Sequence, residues 1–202
     1  MPVKACGITR LEDALCCVRN GVAALGFVFA PSPRQISVAE AAAIARRLPP
    51  FPTRVGVFVN EEPERIIEIM RDCRLDIAQL HGEETAALAE KLGGRVIKAF
   101  KAGVDRPDPG WRDLNLRAVL VDAYRPGMAG GTGQTFDWEL FESFRSLGHP
   151  LILAGGLHAG NIAAAVQRAR PDAVDLSSGL EIRPGIKDPL KISQFMELAR
   201  SL

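Results

Sequence analysis

Eight short apolar runs punctuate the chain, and amphipathic stretches of helical period follow most of them; no other feature constrains the fold as much. The runs are Val3–Cys6, Ala24–Phe29, Arg54–Val59, Ile77–Leu80, Arg95–Phe100, Ala118–Val121, Leu151–Ala154 and Ala173–Leu176. Helical stretches include Leu11–Asn20, Val38–Arg47, Pro63–Arg71, Thr85–Leu92, Asn161–Arg170 and Pro189–Ala199. This rhythm implies parallel strands joined by right-handed helical crossovers. Eight such units in 202 residues match the lower end of the length range of a (β/α)₈ barrel. The expected architecture is therefore a single-domain α/β protein, a TIM barrel spanning residues 1–202, with an open doubly wound sheet as the structural alternative. The fifth crossover is the irregular one. Pro107, Pro109 and Gly110 lie between Phe100 and Ala118 and leave room for only a turn or two of helix.

Charge and composition narrow the partners. The 25 basic and 24 acidic residues leave a net charge of +1 and form no basic block, polybasic tail or acidic run, which argues against nucleic acid or an anionic membrane. No run approaches the roughly 20 apolar residues of a membrane span, and Met1-Pro2-Val3-Lys4 lacks the apolar region of a secretory signal, so a cytoplasmic location is expected. Cys6, Cys16, Cys17 and Cys73 form no CxxC pair and the three histidines are scattered, so neither a disulfide framework nor a metal site is expected. With no unexplained apolar stripe, the expected state is a monomer, a homodimer being the alternative.

In a barrel of this kind the chemistry gathers where strands end and βα loops begin. The first strand ends in Lys4-Ala5-Cys6-Gly7, and alternation puts Lys4 and Cys6 on the face turned into the barrel. The sixth strand runs apolar until it meets Asp122, at the same mouth. Taken singly, Cys6 could pack as a small hydrophobe and Asp122 could cap a turn; together, a thiol and a carboxyl across a closed barrel suggest an acid/base pair. Glycine-rich turns follow strands six to eight: Gly130-Gly131-Thr132-Gly133, Gly155-Gly156-Leu157 and Ser177-Ser178-Gly179. Barrels often hold a phosphate after strands seven and eight, where glycine lets backbone N–H groups approach the anion. Gly155, Gly156, Ser178 and Gly179 are the candidates for that role. Arg34, in the proline-stiffened loop Ala30-Pro31-Ser32-Pro33-Arg34, can grip a planar carboxylate bidentately or simply be solvated. Gln79 and His81 share one face at the end of the fourth strand, and His81 could be a structural donor or a catalyst.

Taken in order, seven segments resemble the phosphoribosylanthranilate isomerase family from end to end. They are Lys4-Ala5-Cys6-Gly7-Ile8-Thr9, Gly26-Phe27-Val28-Phe29-Ala30 with Ser32-Pro33-Arg34, Val55-Gly56-Val57-Phe58, Gln79-Leu80-His81-Gly82, Gly130-Gly131-Thr132-Gly133 with Phe136-Asp137-Trp138, Ala154-Gly155-Gly156-Leu157, and Asp175-Leu176-Ser177-Ser178-Gly179 followed by Pro184-Gly185-Ile186-Lys187-Asp188. Ala5, where a larger aliphatic residue is expected, departs in packing only. The resemblance implies Cys6 as general base, Asp122 as general acid and Arg34 as the group that holds the anthranilate carboxylate. Lys4, Gln79, His81, Gly131 and Asp175 are supporting candidates. It implies an Amadori rearrangement of a phosphorylated aminosugar in tryptophan biosynthesis, with no cofactor and no metal. Those roles require a neutral Asp122, helped by an apolar setting, and a Cys6 thiolate, helped by a cation such as Lys4. Two rivals are a dual-specificity phosphosugar isomerase of histidine and tryptophan biosynthesis, for which an aspartate is expected in place of Cys6, and a non-catalytic phosphate-ligand barrel.

Overall fold

Each of the eight apolar runs is a strand. In the computed structural model, which describes residues 1–122 and 138–202, they are β1 (Val3–Cys6), β2 (Ala24–Val28), β3 (Thr53–Phe58), β4 (Ile77–Leu80), β5 (Val96–Lys101), β6 (Ala118–Asp122), β7 (Leu151–Ala154) and β8 (Ala173–Leu176). All neighbours are parallel and follow chain order, and β1 closes the ring by pairing with both β2 and β8. Lys4 stands opposite Ala24 on one side and Asp175 on the other. That double pairing rules out the open sheet.

Strand alternation divides the apolar residues into two cores. Val55, Ile77, Ile97, Ala99, Ala118, Leu120, Ile152 and Ala154 fill the lumen, whereas Val3, Ala5, Val119, Val121 and Leu153 turn outward beneath the helices. The helices are α1 (Leu11–Arg19), α2 (Val38–Ala45), α3 (Pro63–Asp72), α4 (Ala86–Lys91), α5 (Trp138–Ser143), α6 (Ile162–Ala169) and α7 (Pro189–Arg200). Local chemistry explains where several begin. Ser37 and Glu40 form a reciprocal capping box at α2, Pro63 occupies the first turn of α3, and the Asp188 carboxylate accepts from the backbone N–H of Leu190 and Lys191 just before α7.

After β5, the prolines do what their positions suggest. Only a 3₁₀ turn, Pro109–Trp111, forms there, and Asp108 caps it. Trp111 is buried with its ring edge-on to Phe100, 6.2 Å between centroids, so one large aromatic covers the outer face of β5 where a helix would otherwise lie. The helix α5, followed by a 3₁₀ turn at Phe144–Leu147, lies in the sixth crossover; what escapes the strand-helix rhythm is an antiparallel hairpin beyond β8, made of β9 (Glu181–Arg183) and β10 (Ile186–Lys187). Among the described residues no helix is long and apolar enough to cross a membrane.

Candidate active site

Cys6 is the last residue of β1 and faces the lumen at its C-terminal mouth, one turn of the pleat above Lys4. The Lys4 Nζ lies 2.9 Å from Asp175 Oδ1, a contact that follows from their register across β1 and β8. Both side chains are buried. Gly26 of β2 makes room for this pair: a Cβ there would sit 2.9 Å from the Cys6 Sγ and 3.2 Å from the Lys4 Nζ. Lys4 and Cys6 therefore share one small compartment, as alternation predicts.

The electrostatics of that compartment differ from the simple expectation. Burial pushes the Cys6 thiol above its ordinary 9.0; the Lys4 ammonium pulls against it, Asp175 adds to the rise, and Lys187 opposes. Burial outweighs the expected cation, and the thiol pKa stays above its ordinary value although Lys4 is in place. Burial also works against the Lys4 ammonium, but Asp175 and Cys6 outweigh it and hold its pKa above the ordinary value. Asp175 is raised chiefly by burial, with Lys4 opposing, Asp122 adding and His81 opposing. Asp175 thus feels both walls of the lumen.

On the facing wall, Asp122 ends β6 with its carboxylate partly exposed to the mouth. His81 Nε2 lies 3.6 Å from Asp122 Oδ2, and the Gln79 amide nitrogen donates to His81 Nδ1 at 3.0 Å. Gln79 thus holds the ring from its Nδ1 side and leaves Nε2 facing the carboxylate. Gln79 is buried and its Oε1 has no hydrogen-bond partner among the described residues.

Between β6 and β1 on the rim come the loops after β7 and β8. Gly155 and Gly156 both have positive φ, 93° and 63°, which a side chain would strain. A Cβ on Gly179 would lie 2.0 Å from the Leu157 carbonyl oxygen, so the two loops pack backbone against backbone, with Ser178 opening a 3₁₀ turn alongside. Gly155, Gly156, Ser178 and Gly179 are brought together; Gly131 lies outside the described residues.

Arg34 reaches the mouth from the second loop with its methylene stem across Gly7, where an added Cβ would come within 2.6 Å of Cδ. Its guanidinium grips Glu181 side-on, with Nε 2.9 Å from Oε1 and Nη2 2.8 Å from Oε2. Glu181 in turn pairs with Lys187 at 2.9 Å. Neither Glu181 nor Lys187 stands out in the sequence as a site residue. The available signal was Arg183-Pro184-Gly185-Ile186, a Pro-Gly turn between short extended segments that reads as a hairpin once a barrel end is recognised. Among the described residues no group of three or more His, Cys, Asp or Glu side chains could hold a metal ion.

The sequence matches the family model of N-(5'phosphoribosyl)anthranilate (PRA) isomerase over residues 3–198. A relative from Trichlorobacter lovleyi bearing that enzyme name is 48% identical over 200 residues, covering 98% of this chain and 97% of its own. The fold superimposes on the crystal structure of phosphoribosyl anthranilate isomerase from Thermotoga maritima with a TM-score of 0.88 at 44% identity, over the whole of both chains. It also matches, at TM-score 0.85 and 42% identity with full coverage of both, a phosphoribosyl anthranilate isomerase solved with reduced 1-(o-carboxyphenylamino)-1-deoxyribulose 5-phosphate. On the strength of a family match that spans almost every residue, this chain belongs to the N-(5'-phosphoribosyl)anthranilate isomerase family.

Proposed function

We propose that the protein catalyses the Amadori rearrangement of N-(5'-phosphoribosyl)anthranilate in tryptophan biosynthesis, with Cys6 as general base and Asp122 as general acid. The observation that carries this reading is the shared position of the two groups. A thiol and a carboxyl end β1 and β6 at one mouth of a closed barrel, and two glycine loops fill the rim between them. An aldose–ketose rearrangement needs a proton delivered to the ring oxygen and another removed from C2′. Asp122, as the neutral acid, donates the first, opening the aminosugar to a Schiff base; Cys6, acting as its thiolate, removes the second, giving an enolamine that tautomerises to the ketone. Ring opening breaks the C1′–O4′ bond as the nitrogen lone pair forms C1′=N, and loss of the C2′ proton sends its electron pair toward that bond; C2′ is oxidised as C1′ is reduced, so no external redox partner is needed.

The remaining residues serve those two. Backbone N–H groups of the β7 and β8 loops, approached closely because Gly155, Gly156 and Gly179 carry no side chain, hold the phosphate with Ser178. Arg34 takes the anthranilate carboxylate. His81, aligned by Gln79, turns Nε2 toward Asp122, and Asp175 holds Lys4 beside Cys6. A fluorescence assay of purified wild type, following loss of the phosphoribosylanthranilate signal with the histidine-pathway aminoaldose as second substrate, tests the proposal. Turnover of the first substrate alone is the expected result; binding without turnover would defeat it, and comparable turnover of both would make the enzyme dual-specific.

Lys4 is the cation that makes a buried thiolate tolerable when Cys6 gives up its proton. In Lys4→Met the Cys6 pKa is expected to rise further, because the largest force opposing burial is gone. The pH dependence of Cys6 alkylation, followed by mass spectrometry, reads this directly. An unchanged profile would leave Lys4 with a purely structural role.

A further inference from the structure

The hairpin β9–β10 is built around charges that the proton transfers do not use. Glu181 opens β9 and Lys187 ends β10, and both are buried. Lys187 Nζ contacts Glu181 Oε1 at 2.9 Å and donates to the carbonyl oxygen of Cys6. Glu181 also accepts from the backbone N–H of Gly185 at 3.3 Å and, through both oxygens, from Arg34. The hairpin is pinned to the first crossover: the Thr9 hydroxyl donates to the Gly185 carbonyl, and the Lys187 backbone N–H donates to the Asp13 carboxylate at 3.0 Å.

Counting charges and donors shows what this cluster leaves available. An isolated Arg34–Glu181 pair would be neutral and would offer an incoming anion little attraction. With Lys187 the triad carries a net positive charge. The side-on grip uses the Nε–H and one N–H of Nη2, out of the five that a guanidinium carries. Of the three left, two lie along the Nη1–Nη2 edge, whose spacing matches a carboxylate. A guanidinium already clamped in one orientation also loses less freedom when its ligand arrives.

We propose that Glu181, buttressed by Lys187, is a positioning residue that locks Arg34 with its Nη1–Nη2 edge open to the aryl carboxylate, so the hairpin sets the preference for a carboxylate-bearing arylamine. The inference rests on the assignment of Arg34 to that carboxylate. It explains why a hairpin with no part in the chemistry is tied by buried charges to both the Arg34 loop and the carbonyl of the base.

Two ligands separate the possibilities: reduced 1-(o-carboxyphenylamino)-1-deoxyribulose 5-phosphate and its counterpart lacking the aryl carboxylate, each titrated calorimetrically into wild type, Glu181→Gln and Lys187→Met. Both variants are expected to lose about 10- to 100-fold in affinity for the carboxylated ligand, the scale of one charge-assisted contact. The decarboxylated ligand should stay within about twofold, since it has no group for Arg34 to hold. Equal losses for both ligands would make the hairpin merely structural and overturn the proposal, as would no loss for either. A wild type that binds the two ligands alike would overturn the Arg34 assignment itself, and this inference with it. Should Glu181→Gln fail to fold, Glu181→Asp and Lys187→Met carry the same comparison: a loss confined to the carboxylated ligand supports the role, and a ligand-independent loss refutes it.

Discussion

Cys6→Ala is expected to lower kcat by about 10² to 10⁴-fold, and Asp122→Asn by a similar factor, because on the proposed assignment each removes one of the two proton-transfer groups of the rearrangement. Neither change should threaten the fold. At Cys6 alanine removes little more than a sulfur atom at the edge of the lumen, while Asp122 sits partly exposed at the rim, where an amide is nearly isosteric. The losses should fall on kcat more than on KM, since the phosphate loops and Arg34 are untouched. Steady-state turnover paired with a thermal melt reads both. On the proposed roles the two defects should also differ in kind: Cys6→Ala should block removal of the C2′ proton after the ring has opened, whereas Asp122→Asn should block the opening itself. Near-normal turnover by either folded variant would remove that residue from the mechanism and pass its role to a neighbour such as His81.

Sequence periodicity disclosed the barrel because its signal is repeated and local. Each strand is a short apolar run, the helical stretches follow in period, and Pro107, Pro109 and Gly110 leave no room for a full fifth helix. Strand alternation likewise placed Lys4 beside Cys6, since a period of two needs no knowledge of the rest of the chain. What alternation does not carry is the charge of distant segments. Asp175 reaches Lys4 only after the ring closes between β8 and β1, and its carboxylate adds to the rise of the Cys6 pKa that burial begins. Glu181 meets Arg34 across 147 positions of sequence, through a hairpin of three- and two-residue strands too short to show a period. The resemblance of Pro184-Gly185-Ile186-Lys187-Asp188 to its family marked the segment without saying what it does.

The largest stability effect should come from Lys98→Met, outside the lumen. Lys98 lies on the outward face of β5, and its Nζ sits 2.8 Å from Glu84 Oε2, with side-chain exposures of only 4% and 2%. The same ammonium donates to the Gly82 carbonyl at 2.6 Å and lies 5.4 Å from the centre of the Trp111 ring. Glu84 accepts from the backbone N–H groups of Asn60 and Gly82 as well. Removing the cation leaves a buried carboxylate uncompensated, which typically costs about 3–5 kcal/mol, whereas replacing both partners with apolar residues often costs little. Lys98→Met should therefore be less stable than Lys98→Met/Glu84→Gln in urea unfolding, since glutamine removes the abandoned charge yet keeps an acceptor for the Asn60 and Gly82 N–H groups. The effect should also depend on pH with a definite sign. Burial pushes the Glu84 carboxyl up, but Lys98 and the backbone donors outweigh it and hold the pKa below the ordinary 4.5. A depressed native pKa gives stability that is complete above the unfolded value and lost as pH falls through the native one. In Lys98→Met the burial is no longer opposed by the ammonium, so Glu84 should protonate more readily in the folded state than in wild type. The stability gap between wild type and variant should accordingly narrow as pH falls from the variant's higher native Glu84 pKa down to the wild-type one, which lies below 4.5. A gap that stayed constant from neutral pH into acid would mean that lost packing around Phe100 and Trp111, and not an abandoned charge, accounts for the damage.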